Sequence, residues 1–248
     1  MYRKTFCLVI SMVSIVVSAL SPTQAETLNV GLYDTEFPPL HFKEGDQRTG
    51  LAKDILSHLS KLTGHHFVYT YLPALRLEAK FQKGEIDIET FVNPIWYEKS
   101  EVPGLYSVPY GKSSDVVVFR KDKRFPVAKA SDLKGKRVGM IRGYSYPGFM
   151  EAIAKGDIVR EDSGTEMQLL EKLAKGRYDQ IFIQKEMAQY VIKRNSTYQD
   201  LEVGDEISSI DVMLRIHPSK DYILSDINHA LKTMINAGVI EEIYNQYR

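Results

Sequence analysis

In this 248-residue chain, the residues placed to do chemistry are one serine, one acid pair, a few aromatics and a glycine turn. The stretch VGMIRGYSYPGF, Val138 to Phe149, sets Ser145 between two tyrosines just after Gly143. One reading is a nucleophile. A nucleophile elbow needs Gly-x-Ser-x-Gly, because its turn is so tight that both flanks must lack a Cβ. Here Pro147 stands at the second glycine position, so the motif fails. Of the six histidines, only His41 falls near a predicted strand-end loop, which leaves no evident general base. The other reading is a backbone cradle. Pro147 suits the first turn of a helix. The N–H groups of Gly143, Tyr144, Ser145 and Tyr146 would then face a carboxylate or another anion, and Arg142 would add charge. A plain strand-to-helix connection without a ligand fits the same residues.

Other constellations read both ways as well. Asp87 and Glu89 share one side of a strand and could act as an acid pair. Equally, one caps a turn while the other pairs with a base such as Arg76. Trp96 and Tyr97, beside Asn93-Pro94, make either a stacking wall or core packing. His65 and His66 alternate along a strand and cannot chelate together, and no zinc spacing appears. No metal or cofactor is expected.

The elements that must carry these residues follow from periodicity. TLNVGLYD reads as a strand, EFPPLHFKEGDQRTG as a loop, and LAKDILSHLSKLTG as a helix with Leu51, Ile55, Leu59 and Leu62 inward and Gly64 as its stop. HHFVYTYLP is a strand, ALRLEAKFQKGE a helix and IDIETFV a strand. That alternation implies a parallel sheet with crossover helices. The rhythm restarts with DVVVFRK, a strand ending ASDLKGKRVGMI, a helix over SYPGFMEAIAKG, a strand DIVRED, a helix over GTEMQLLEKLAKGRYD, QIFIQ and KEMAQYVIKR. A strand over Ile207 to Ile216 and two helical stretches broken at Gly238 close the chain. No Ser/Pro/Gly-rich linker separates the halves, and the segment from Gly111 to Val118 is itself strand-like. In open parallel sheets, ligands bind beyond the carboxyl ends of strands. That rule selects Asp34 to Phe37, Asn93 to Lys99, Arg142 to Tyr146, and Gln184.

The start reads as a secretory signal peptide over residues 1–25. It has a basic MYRK, an apolar FCLVISMVSIVVSAL, then Thr23 and Ala25 at the −3 and −1 positions of a cut before Glu26. The apolar run is shorter than the roughly 20 residues of a spanning helix. A periplasmic location and no membrane insertion are expected. Cys7, the only cysteine, lies in that leader, so disulfides and thiolate chemistry are excluded from the remainder. Charges balance at 32 basic and 32 acidic residues, and no long run of one sign suggests nucleic acid or an anionic membrane as partner.

With these residues in place, the chain resembles the bacterial extracellular solute-binding protein family 3. VGLYDTEFPPLHFKEGDQRTGLAKDILSHLSKLTG is similar to that family's opening strand, ligand loop and first helix. FQKGEIDIET resembles its turn into the third strand, and YSVPYGKSSDVVVFRK its final cleft strand and first hinge crossing. SDLKGKRVGMIRGYS, LLEKLAKGRYDQIFIQ and ALKTMINAGVIEEIYNQY follow in family order. The resemblance implies an α/β fold of type 2 periplasmic binding protein architecture: two Rossmann-like lobes joined by two hinge crossings. One lobe would comprise residues 26–113 and 212–248, the other 114–211. It implies a monomer that captures a small solute in the interlobe cleft for an ABC-type importer, or for a signalling receptor. Its implied ligand contacts are Asp34, Phe37, the Asn93 to Lys99 segment with Trp96, and Gly143 to Ser145.

Two departures stand out. Where amino-acid binders of the family carry a carboxylate-clamping arginine, this chain offers Lys99, a point charge rather than a fork. Where they carry an ammonium-binding aspartate, Gln184 stands. Arg76 resembles an alternative anion contact of divergent members. A standard α-amino acid is therefore less expected than a small polar or anionic solute. The resemblance also takes in secreted dehydratases of cyclic acids on this scaffold, for which Glu89 would be the catalytic carboxylate.

Overall fold

The computed structural model describes residues 25–248. The leader up to Gln24, with Cys7, falls outside that range. The first βαβαβ run is β1 (Thr27–Tyr33), α1 (Leu51–Thr63), β2 (His66–Leu72), α2 (Ala74–Gln82) and β3 (Ile88–Val92). A single 3-10 turn (Pro94–Tyr97) and the short β4 (Leu105–Tyr106) follow. The second run is β5 (Gly111–Arg120), β6 (Arg137–Ile141), α3 (Met150–Ala154), β7 (Val159–Ser163), α4 (Glu166–Ala174), β8 (Gln180–Gln184) and α5 (Lys185–Arg194). Then come β9 (Leu201–Ile216), α6 (Leu224–Asn236) and α7 (Val239–Asn245).

Helix α1 shows why the pattern folds as it does. Leu51, Ala52, Ile55, Leu56 and Leu59 recur at helical spacing and are buried. Gly64 ends the helix in the left-handed conformation, its N–H donating to the Ser60 carbonyl. Leu62, expected inward, is 52% exposed, because the last turn runs past the edge of the core.

The strands form one continuous path, β2-β1-β3-β9-β5-β8-β6-β7, with β4 beside β9. Apolar side chains cover both parts of it. Leu28, Val30, Ile55, Leu59, Ile227, Leu231 and Ile243 share one core against β1 and β3. Around β5 to β8, Leu169, Leu173, Ile181 and Met187 fill one face, and Phe119, Val138, Phe149 and Phe182 the other. Two lobes result, with β5 and β9 running antiparallel through both.

Register then places the cleft. β3 lies antiparallel to β9, with Val92 opposite Met213. On the far side β8 is antiparallel to β5, with Gln184 opposite Asp115, and Asp115 is in turn opposite Ser208 of β9. The carboxyl ends of β3 and β8 therefore point at each other along β9. They are separated by the span from Ser208 to Met213, about 17 Å at the usual strand rise. Loops at those ends face a common gap whose floor is the β5–β9 pair.

A second contact ties α5 to the chain's last residues. Tyr247 accepts at its hydroxyl from the Gly50 N–H (2.9 Å) and donates to Asp54 Oδ2 (2.6 Å). Arg194 Nη1 donates to the Tyr247 carbonyl (3.1 Å), and Lys193 Nζ to the Arg248 carbonyl (3.0 Å). Tyr190 packs between Phe42 and Tyr247.

Candidate ligand site

The loop after β1 is held by its own backbone. Phe37 and His41 exchange N–H to carbonyl bonds of 3.2 and 3.1 Å, and their rings stack. Phe37 also packs against the core cluster of the other lobe that includes Met187 and Leu169. Asp34 is exposed, and its N–H donates to the Leu72 carbonyl. His41 is 6% exposed, and its Nδ1 has no partner among the described residues. Burial, with Lys53 nearby, pushes its pKa down from 6.5 to about 4. A histidine buried neutral contributes stability that is complete above its ordinary pKa and lost as pH falls toward the depressed one. Urea unfolding should therefore show midpoints falling between pH 6.5 and pH 4, with His41→Phe flattening that fall.

The loop after β3 is anchored by Asn93. Its Oδ1 accepts from the Ile95 N–H (3.0 Å) and its Nδ2 donates to the Asp211 carbonyl on β9 (2.7 Å). Trp96 is 52% exposed, and Lys99 is exposed without an ion pair to any described residue. Beneath this loop lies Arg215, fully buried between the rings of Phe81 (3.8 Å) and Tyr97 (3.7 Å). Its Nη1 donates to Glu78 (2.6 Å) and Glu89 (2.7 Å), its Nε to the Pro103 carbonyl (2.8 Å), and its Nη2 to Ser100 (3.1 Å) and the Val102 carbonyl. Gly104, at φ +88°, leaves room for it: a Cβ there would sit 2.8 Å from Arg215 Cγ. Glu89 is therefore tied into a structural network below the cleft floor. Its partner is Arg215, not Arg76, which is exposed and unpaired among the described residues. Asp87 does not cap a turn; its carboxylate accepts from the N–H of Asn29 on β1 at 2.8 Å.

In the second lobe, the expected cradle is built differently. Helix α3 starts at Met150 and has five residues, so Pro147 does not open it. Pro147 and Gly148 form a turn, with Gly148 at φ +87°, and Phe149 swings inward onto Phe182. The Tyr144 N–H donates to the Ile141 carbonyl (3.1 Å), and the Tyr146 N–H meets Met150 Sδ at 3.5 Å. A full row of free amides with a helix dipole behind it is thus absent. Gly143, at φ +84°, faces open space, and the Arg142, Tyr144 and Ser145 side chains are exposed. Tyr146 turns inward, its hydroxyl accepting from the Ile141 N–H (3.1 Å). Gln184 caps α5: its Oε1 accepts from the Met187 N–H (2.8 Å), and its Nε2 donates to Glu186.

Sequence reasoning passed over several neighbours. Asp115 is half-buried on β5 opposite Gln184, and Ser208 Oγ donates to its Oδ2 at 3.0 Å. Glu166 is partly buried at the start of α4, and Tyr33 stands 40% exposed at the end of β1. A lone charge inside an apolar run, as in SSDVVVF and VMLRI, was the available signal for Asp115 and Arg215.

Comparison with known proteins agrees with this geometry. Residues 28–248 match the family model of bacterial extracellular solute-binding proteins, family 3. The L-cystine-binding protein TcyJ of Escherichia coli K12 is 26% identical over 225 residues, covering 89% of this chain and 82% of that protein. The arginine-binding extracellular protein ArtP of Bacillus subtilis 168 is 24% identical over 215 residues, 86% of this chain and 82% of ArtP. An ancestral arginine-binding protein bound to arginine superposes with a TM-score of 0.71 at 21% identity, covering 89% of this chain and 97% of the other.

Proposed function

The chain belongs to the bacterial extracellular solute-binding proteins, family 3, and from that premise we propose that it captures a small polar solute between its lobes for an ABC-type importer. The observation that carries the reading is the register of β5 and β9, which brings the carboxyl ends of β3 and β8 face to face. We place 26–113 and 212–248 in one lobe and 114–211 in the other, the boundaries lying where Gly111 pairs with Val212. Ligand entry closes the lobes about that pair, a hinge motion.

In this reading Asp34, Phe37, Asn93, Trp96, Lys99, Arg142, Gly143, Tyr144 and Ser145 surround the solute. An anionic group of the solute faces Arg142 and the Gly143–Ser145 turn, and an apolar part lies against Trp96. Arg76 and Gln184 sit at the margin, since Gln184 is engaged with Met187 and Glu186. The cystine- and arginine-binding names of its relatives make amino acids the first compounds to try. Glu89, being held by Arg215, has no catalytic part. The protein acts in the periplasm as a monomer.

A thermal-shift screen against polar metabolites tests the proposal. A ligand at 100 times its Kd adds about 2.7 kcal/mol, a shift of several degrees for a chain of this size. Arg142→Glu, Trp96→Ala and Phe37→Ala should each weaken the binding found. Unchanged affinity in all three would place the site elsewhere.

A further inference from the structure

We propose that Asp115 is a ligand contact that receives a cationic group of the solute, an ammonium or a guanidinium. The inference rests on the binding reading above and names the substrate class of that site. Asp115 lies where β5 enters the second lobe, at the edge of the gap and in register with both Gln184 and Ser208. Strand alternation puts its side chain on the face of Val117 and Phe119, which pack with Tyr146 and Phe182. One carboxylate oxygen accepts from Ser208 Oγ at 3.0 Å. The neighbouring amide of Gln184 gives an N–H to Glu186 and accepts at its Oε1 from the Met187 N–H, and it makes no hydrogen bond to Asp115. No lysine, arginine or histidine forms an ion pair with Asp115 among the described residues. Burial raises its pKa, Ser208 lowers it, and no cation pulls against the burial.

Glu78 and Glu89 provide the contrast, since the two share the guanidinium of Arg215 as counter-ion. Asp115 has none. Burial first, and the negative charge of Asp115 after it, raises the pKa of Glu166, and of Tyr144 and Tyr146. A half-buried carboxylate without a counter-ion costs stability in the empty protein. A cation delivered by the solute would remove that cost only in the bound form, which makes the contact selective for solutes that carry one.

The experiment compares the wild type with Asp115→Asn, which keeps an oxygen for Ser208 and removes the charge. The probes are L-arginine, putrescine, L-glutamine, succinate and glucose, followed by thermal shift and calorimetric titration. Compounds that bind the wild type should carry an ammonium or guanidinium. Asp115→Asn should weaken them about tenfold or more, while the empty variant melts at or above the wild-type temperature. A merely structural Asp115 would instead lower the melting temperature of the empty protein and leave affinity alone. Binders lacking a cationic group, or cationic binders indifferent to the substitution, overturn the inference and leave the binding reading standing. A wild type that binds none of the five probes counts against the binding reading itself and takes the inference with it.

Discussion

Arg215→Met is expected to lower the unfolding free energy by about 3–5 kcal/mol, because it strands two carboxylates that one guanidinium now satisfies. Glu89 would suffer most, being 5% exposed and already pushed above the ordinary carboxylate range by burial. The loss should shrink in acid. A carboxylate whose folded-state pKa is raised destabilises only where it is ionised, so the orphaned Glu89 recovers part of the stability as pH falls through that raised value. The triple variant Arg215→Met, Glu78→Leu, Glu89→Leu should regain most of the stability at neutral pH, since an apolar replacement of the whole network leaves no buried charge. Urea midpoints of the three proteins at two pH values decide the matter. A single variant as stable as the wild type would mean that the network is solvated and contributes little.

Phe182→Ala carries a comparable cost from a different source. The ring is fully buried, 5.3 Å from Tyr146 and 4.9 Å from Phe149. Truncating a core phenylalanine costs about 3–5 kcal/mol through lost burial and the cavity left behind. For a chain of this length that corresponds to roughly 6–20 °C of melting temperature. Phe182→Leu should restore most of it. The effect reaches the cleft because Tyr146 and Phe149 flank the Pro147-Gly148 turn, and the Tyr146 hydroxyl holds the Ile141 N–H just before Arg142. Acrylamide quenching of Trp96, the only tryptophan, provides a control from the opposite lobe. It should not change in Phe182→Ala if the damage is local.

The parts of the fold legible in the sequence were those where one periodicity acts alone. Leu51, Ile55 and Leu59 announce α1, and QIFIQ announces β8, because burial selects those side chains directly. The start of β9 was not legible. Leu201 to Glu206 reads as polar and carries Gly204, yet it is strand because it pairs with β5 from Val116 to Arg120. Helix α3 was drawn too early for a similar reason. Pro147 is compatible with a helix start, and only the seat offered to Phe149 by Phe182 moves the start to Met150. In the site, loop residues were found because strand ends can be located. Arg215 and Asp115 were missed because their meaning lies in partners more than 90 residues away, Glu89 and Ser208.

The pairing of Ile88 with Ile216 has a consequence in time as well as in space. Strand β3 leaves the ribosome with one edge unpaired, and its partner is synthesised about 130 residues later. At 5–20 residues per second that interval is roughly 6–26 s. The lobe built on β5 to β8 is nearly contiguous in sequence and can close first, whereas the lobe that begins the chain must wait for its end. A nascent chain arrested before Ile216 should therefore expose β3 to proteolysis while the later-made half is already protected.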